Sequence, residues 1–293
     1  MNTVRASAPA KINLSLDITG MREDGYHLIR SVMQGITVRE YVEISRTDSP
    51  GITLTMDKGP GFLPLDHRNV AFKAARQFLD DTGIAPQGGI GIKITKTVPV
   101  GAGLAGGSAD AAAVLAGMNR MFGTDMATEE LCRIGEKIGA DVPFCILGGT
   151  ALCTGTGTDM MPVNPMPMCF IVVAKPSAGI STAEAYRNID AAEPLPPTSK
   201  AVEKAISEGD LPGLARNLGN VFDILSAPSA VEEIKRDMRR LGATGCQMSG
   251  SGSAVFGLFS DESAARACAS GVAVRSRKVF LCRPDRRGAV ISQ

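Results

Sequence analysis

Apolar and polar residues alternate from Lys11 to Ile18. Ile12, Leu14, Leu16 and Ile18 fall on one face and Lys11, Asn13, Ser15 and Asp17 on the other. A period of two predicts a half-buried strand. Asp24-Gly25 marks a tight turn, followed by Tyr26-His27 and a second apolar run from Leu28 to Val38. Strand patterns recur over 41–46 and 51–56, and again at Ile90-Gly91-Ile92-Lys93-Ile94. Val70, Ala71, Ala74, Ala75 and Phe78 are spaced for one face of a helix over 69–81. Ala111, Ala112, Leu115, Met118 and Phe122 line a second helix that ends near Gly123, with Ser108 as the expected N-cap. A third starts at Thr128, carries Glu129 and Glu130 in its first turn, and stops before Gly139. Asp141-Val142-Pro143-Phe144 follows directly.

Near 158–168 the chain is rich in Pro and Met, including Pro162, Pro165 and Pro167, which sets an expected division into 1–160 and 161–293. The second part reads as a strand over 169–174, then helices near 181–188, 199–208, 211–219 and 229–241. A hairpin over 245–259, a helix from Asp261 and a last strand over 278–282 complete it. Pro194, Pro196 and Pro197 suit a surface connector. This order is that of a split βαβ, ferredoxin-like unit with an antiparallel sheet, and the whole chain is expected to be α+β.

Composition narrows the function classes. The 293 residues are 44% hydrophobic and 21% charged, with net charge +1, so an anion site must be local rather than a basic coat for nucleic acid. The low aromatic content and absence of Trp leave few stacking surfaces for bases. No apolar run approaches the ~20 residues of a membrane span, and the start of the chain carries no leader pattern. The seven cysteines are scattered and never form CxxC, which suits reduced, buried thiols and a cytoplasmic location. Two histidines, His27 and His67, cannot build a histidine-rich zinc site. Nothing in the pattern separates monomer from dimer.

The candidate chemistry centres on Pro99-Val100-Gly101-Ala102-Gly103-Leu104-Ala105-Gly106-Gly107-Ser108-Ala109. It lies between a strand and a helix, where backbone N–H groups and the helix dipole favour phosphate. Gly101-x-Gly103-x-x-Gly106 matches a dinucleotide fingerprint in form, but the following helix leads to another helix and not to a strand ending in an acid. A Walker A loop would need a lysine before Ser108. A bare packing turn is the remaining alternative to a phosphate loop.

The run resembles the nucleotide loop of the GHMP kinases (galactokinase, homoserine, mevalonate and phosphomevalonate kinases). Two more motifs agree: Ala8-Pro9-Ala10-Lys11-Ile12-Asn13-Leu14 and Gly245-Cys246-Gln247-Met248-Ser249-Gly250-Ser251-Gly252-Ser253-Ala254. Arg22-Glu23-Asp24-Gly25-Tyr26-His27, Gly139-Ala140-Asp141-Val142-Pro143 and Ile180-Ser181-Thr182 resemble the branch whose acceptor is a cytidine-diphosphate-linked methylerythritol, in the non-mevalonate isoprenoid route. The resemblance implies a nucleotide domain like ribosomal protein S5 domain 2, followed by the ferredoxin-like domain. It implies ATP as phosphoryl donor to the 2-hydroxyl of that substrate, with Mg²⁺ on the phosphates.

By the same resemblance, Asp141 is the base or positioner and Lys11 its partner; otherwise Asp141 caps a turn and Lys11 is a solvated strand lysine. Pro99 to Ser108 hold phosphates, and Ser108 is a candidate metal ligand. Lys96 and Asn69 fall near adenine, or are an exposed lysine and a helix N-cap. Asn13, Tyr26, His27, Met33, Thr182 and Tyr186 fall on the substrate side, where His27 offers one donor and one acceptor to a cytosine edge. Met33 stands where an aromatic ring is usual, which leaves a softer cytosine pocket. Ser249, Gly250, Ser251 and Gly252 line the site from the second part, or form a flexible hairpin. Another GHMP kinase of homoserine or mevalonate type, and an inactive ligand-binding homologue, stay open as alternatives.

Overall fold

A computed structural model describes residues 2–57, 59–180, 182–276 and 278–292; the side chains of Thr182 and Ala183 lie outside the described set. The chain runs β1 (Thr3–Asn13), β2 (Ser15–Met21), β3 (His27–Thr47), β4 (Gly51–Asp57), α1 (Val70–Thr82), β5 (Gly89–Thr95), α2 (Gly106–Phe122), α3 (Thr128–Glu136), α4 (Val142–Leu147), β6 (Thr150–Thr154) and β7 (Asp159–Pro162). It continues with β8 (Phe170–Lys175), α5 (Thr182–Asp190), α6 (Ser199–Ser207), α7 (Leu211–Asn217), β9 (Gly219–Asn220), α8 (Val221–Ser226), α9 (Ser229–Arg240), β10 (Gly245–Met248), β11 (Val255–Phe259), α10 (Glu262–Val272), β12 (Lys278–Cys282) and β13 (Val290–Ser292).

The runs at 28–38 and 41–46 are one strand, not two. β3 spans 21 residues and serves different neighbours along its length. Its start pairs with β2, Gln34 faces Thr150 of β6, and Thr47 faces Gly89 of β5. β1 pairs antiparallel along β3 and shifts register between Pro9 and Ala10, where proline offers no N–H to the ladder. α1 to α4 cover this sheet. α2 presents Ala109, Ala111, Ala112 and Ala113 to it, and at Gly117 an added Cβ would stand 2.5 Å from the Ile44 side chain. Small residues let this helix approach its sheet closely. Phe78 of α1 is fully buried in the same core, a burial worth about 1.5–3 kcal/mol.

The second sheet has the order β10-β11-β8-β12, all antiparallel, which is the split βαβ arrangement. α10 starts behind Asp261, whose side chain accepts the Ala264 N–H at 2.8 Å. Six short elements were not foreseen: α4, β6 and β7 in the first part of the chain, and β9, α8 and β13 beyond it. β9 pairs with β2, α8 follows it, and β13 returns to pair with β1. Arg39 clamps the returning segment, donating to Asp285 at 2.7 Å and also to the Ser7 and Gly288 carbonyls.

A single apolar cluster joins both sheets: Ile12, Leu14, Val32 and Leu104 pack with Ile171, Val173, Phe256 and Leu258. This corrects the half-buried reading of residues 11–17. Lys11, Asn13, Ser15 and Asp17 are all buried, because segments from the second part of the chain cover the polar face. Asp17, for example, accepts the N–H groups of Thr198 and Ser199, both at 2.9 Å. Ser108 is not the N-cap of α2. Ala105 occupies that position at φ 56°, and Ser108 sits in the first turn.

Candidate active site

The glycine loop winds through left-handed backbone at alternate residues: Gly101 at φ 60°, Gly103 at φ 72° and Ala105 at φ 56°. Such a path turns successive N–H groups toward a concave face suited to an anion. Two neighbours hold it. The Lys11 N–H donates to the Leu104 carbonyl at 3.1 Å, and the Ala254 N–H to that of Ala102 at 3.1 Å. Residues 99–107 line a cavity of ≈ 350 Å³ with Asn69, Lys96 and Asp110. Asn69 caps α1, accepting the Ala71 N–H at 2.9 Å. Lys96 is buried rather than exposed, in contact with Glu40 and Asp110.

A second cavity of ≈ 360 Å³ lies on the other side of the loop. Lys11, Asn13, Met33, Ser108, Asp141, Tyr186, Gly250 and Ser251 line it, and it shares Gly103 and Ala105 with the first. The Asp141 carboxylate stands at the N-terminus of α4 but makes no capping bond there. It faces the Lys11 ammonium instead, Oδ2 to Nζ at 3.7 Å. Lys11 Nζ donates to Asn13 Oδ1 at 2.6 Å, Asn13 Nδ2 to Ser31 Oγ at 2.8 Å, and Ser31 Oγ to the Ser15 carbonyl at 2.6 Å. This relay fixes the direction of the lysine side chain.

The third motif closes one wall. Ser249 Oγ accepts the Asn13 N–H at 3.3 Å and donates to the Gly103 carbonyl at 2.9 Å. Asn220 Nδ2 holds the segment by the Met248 and Gly250 carbonyls at 2.9 and 2.8 Å. Gly252 takes φ 86°, and its N–H donates to the Ser249 carbonyl at 2.9 Å. The segment is thus bonded at several points, unlike a flexible hairpin.

On the substrate side, the His27 ring stacks on Tyr186 at 4.6 Å, and His27 Nε2 lies 2.7 Å from Asp190 Oδ1. Tyr186 meets the edge of Phe222 at 4.9 Å; burial, then the Asp141 charge, raises its hydroxyl pKa. Met33 packs with Phe144, Ala151 and Cys153 beneath the cavity. Tyr26 is not gathered in: its ring is 65% exposed at the hairpin tip, under the Arg22 guanidinium. Ser181 and the Thr182 side chain lie outside the described residues. Nothing in the sequence pointed to Asp190 or Phe222, since both reach His27 or Tyr186 only through folding. Nor did it mark Glu40 and Asp110, which read as ordinary charges on a strand and a helix.

Comparisons with known proteins agree with this geometry. Residues 69–149 match the GHMP kinases N terminal domain and residues 202–274 the GHMP kinases C terminal domain. A protein of Clostridium botulinum (strain Kyoto / Type A2) named 4-diphosphocytidyl-2-C-methyl-D-erythritol kinase is 43% identical over 282 residues, covering 95% of this chain and 99% of that one. A Bacillus pumilus protein of the same name is 42% identical over 94% of this chain and 95% of its own. Among solved structures, a crystal structure of 4-(cytidine 5'-diphospho)-2C-methyl-D-erythritol kinase superposes with TM-score 0.75 at 31% identity, covering 96% of this chain and 99% of that one. A homoserine kinase from Cytophaga hutchinsonii superposes with TM-score 0.78 at 19% identity, covering 100% of this chain and 98% of its own, a likeness of fold alone. Matching family segments in both halves, relatives similar over nearly the full length, and a glycine loop set beside a Lys-Asp pair place the chain in the GHMP kinase family.

Proposed function

We propose that this protein transfers the γ-phosphoryl group of ATP to the 2-hydroxyl of 4-(cytidine 5'-diphospho)-2-C-methyl-D-erythritol, in the non-mevalonate route to isoprenoids. The observation that carries the reaction type is the pair of cavities meeting at Gly103 and Ala105, with Lys11 and Asp141 in the wall of the second. The acceptor is carried by the relatives of that name. We assign the nucleotide to 1–160 and part of the acceptor wall to 161–293.

ATP lies in the first cavity, with the amides of residues 101–108 on its phosphates and Asn69 and Lys96 toward its base. The acceptor lies in the second. Asp141 orients the hydroxyl and takes its proton as the O–P bond forms and the bond to the ADP leaving group breaks. The Lys11 ammonium favours the developing negative charge on the acceptor oxygen. Asn13 sets the lysine's direction. His27 and Tyr186 take the cytosine end, Tyr26 is assigned to the same end by motif, and Thr182 is assigned by motif to the ribose or phosphate region. Met33 supplies a polarizable floor.

Magnesium bound with ATP neutralises phosphate charge. A hard cation carried on phosphates needs few protein oxygens, and Ser108, which lines the second cavity, fits as a direct or water-mediated ligand. Among the described residues no group of three His, Cys, Asp or Glu offers a separate metal site. A cytoplasmic location suits the seven buried thiols. An acceptor screen with labelled ATP tests the reading: efficient transfer to the cytidine-linked substrate is expected, and preference for homoserine or mevalonate overturns it.

A further inference from the structure

The third motif bends back over the Lys11–Asn13 pair. A Cβ added at Gly250 would stand 3.3 Å from each of Lys11 Nζ, Asn13 Oδ1 and the Gly103 carbonyl oxygen. Gly250 is buried and takes φ 53°. Its peptide therefore lies directly against the ammonium that faces Asp141. The group that fixes this peptide comes from outside all three sequence motifs.

That group is Asn220, which is 2% exposed and is the N-cap of α8. Capping uses only its side-chain oxygen, which accepts the Phe222 N–H at 3.0 Å. Serine or aspartate would cap as well. The amide nitrogen has a separate task. It donates to the Met248 carbonyl at 2.9 Å and to the Gly250 carbonyl at 2.8 Å, so both its hydrogens go to the third motif. Three residues on, Asp223 Oδ2 accepts the Met248 N–H at 3.1 Å. Lys235 Nζ, 2.9 Å from both Asp223 oxygens and 2.7 Å from Glu232 Oε1, balances that carboxylate. One turn of α8 thus grips Met248 by its N–H and its carbonyl, and Gly250 by its carbonyl. The grip has a fixed base, because Gly219 and Asn220 pair with Ser15 and Leu16, just beyond Asn13.

We infer that Asn220 is a positioning residue for phosphoryl transfer: its side-chain amide holds the Gly250 peptide against Lys11 and Asn13, and so keeps the ammonium aimed at Asp141 and the acceptor oxygen. This rests on the reading that the second cavity holds the acceptor. Asn220 acts through Gly250, which lines that cavity and not the nucleotide cavity. A small misplacement of an aligned group slows transfer steeply while leaving binding elsewhere intact.

Asn220→Ser tests this, since serine keeps a capping oxygen and lacks the amide. kcat is measured with ATP and the cytidine-linked acceptor saturating, and is expressed per ATP site counted by calorimetric titration of the same sample. It should fall by about 10- to 100-fold, with the Kd for ATP within a few-fold of wild type. A merely structural role would lower the number of ATP sites and leave kcat per site unchanged; that result overturns the proposal. Gly250→Ala displaces the same peptide from the other side and should also lower kcat per site. The double variant should lose less than the product of the two single losses, because both act on one peptide. Losses that multiply overturn the proposal. If Asn220→Ser does not fold, Gly250→Ala carries the test, and wild-type kcat per site in it overturns the proposal. Wild type that binds ATP but does not phosphorylate the cytidine-linked acceptor overturns the acceptor reading, and this proposal with it.

Discussion

Ser249 Oγ donates a 2.9 Å hydrogen bond to the carbonyl of Gly103, across 146 residues of sequence. The approach is close enough to exclude a side chain: a Cβ on Gly103 would fall 1.9 Å from the Ser249 carbonyl oxygen. Because the same hydroxyl accepts the Asn13 N–H, one serine ties β1, the glycine loop and the third motif together.

Gly103→Ala should therefore do more than remove flexibility. Its φ of 72° disfavours any side chain, and the clash is with backbone. A loss of about 2 kcal/mol or more is expected in denaturant unfolding, with ATP affinity falling alongside. Ser249→Ala, which loses only hydrogen bonds, should cost about 1 kcal/mol. Equal midpoints for wild type and Gly103→Ala would show that the third motif gives way freely.

Asp141→Asn removes the proposed proton acceptor while keeping its shape. Turnover should fall by about 10²–10⁴, with nucleotide affinity within a few-fold of wild type. The carboxylate makes no cap bond to α4, so the fold should stay intact. Near-normal turnover would remove its assigned role.

His27→Ala should raise the KM for the cytidine substrate more than it lowers kcat. The ring stands on Tyr186 and beside Asp190, away from the Lys11–Asp141 pair. Steady-state kinetics with the acceptor varied at saturating ATP checks this; an unchanged KM would unseat the cytosine end.

All seven cysteines are buried. Burial pushes the Cys132 and Cys268 thiols to about 11 and the Cys153 and Cys169 thiols to about 12. In the unfolded chain a thiol ionises near ~8.5. Below that pH both states keep their protons. Above it only the unfolded chain releases them, so stability should fall as pH rises, by on the order of 1 kcal/mol per thiol per pH unit. Denaturant midpoints from about pH 8 to 10, compared with a cysteine-depleted variant, read this directly. Thiol reagents should label the native protein slowly and the unfolded protein fully.

Local pattern was sufficient for much of this molecule. Period-two alternation located β5 and marked the 11–18 run, which the structure divides at Leu14 between the end of β1 and the start of β2; helical spacing located α1 and α2, and Gly123 and Asp261 ended and started helices by their own backbone chemistry. The glycine loop, the Lys11 strand and Asp141 were legible because each is a contiguous motif whose chemistry survives being read alone. What tertiary structure decided lies between segments. The polar face of residues 11–17, on β1 and β2, looked solvated and is buried, because its cover comes from residues near 198 and 249. β9, α8 and β13 are too short for any periodicity and exist because longer elements offer them edges. Lys96 read as an exposed strand lysine or an adenine neighbour; only packing β3 against α2 gave it two carboxylates and left Asp110 with an unpaired oxygen. A sequence states which charges a chain carries, but burial and partner distance set what each one does, and both are properties of the fold.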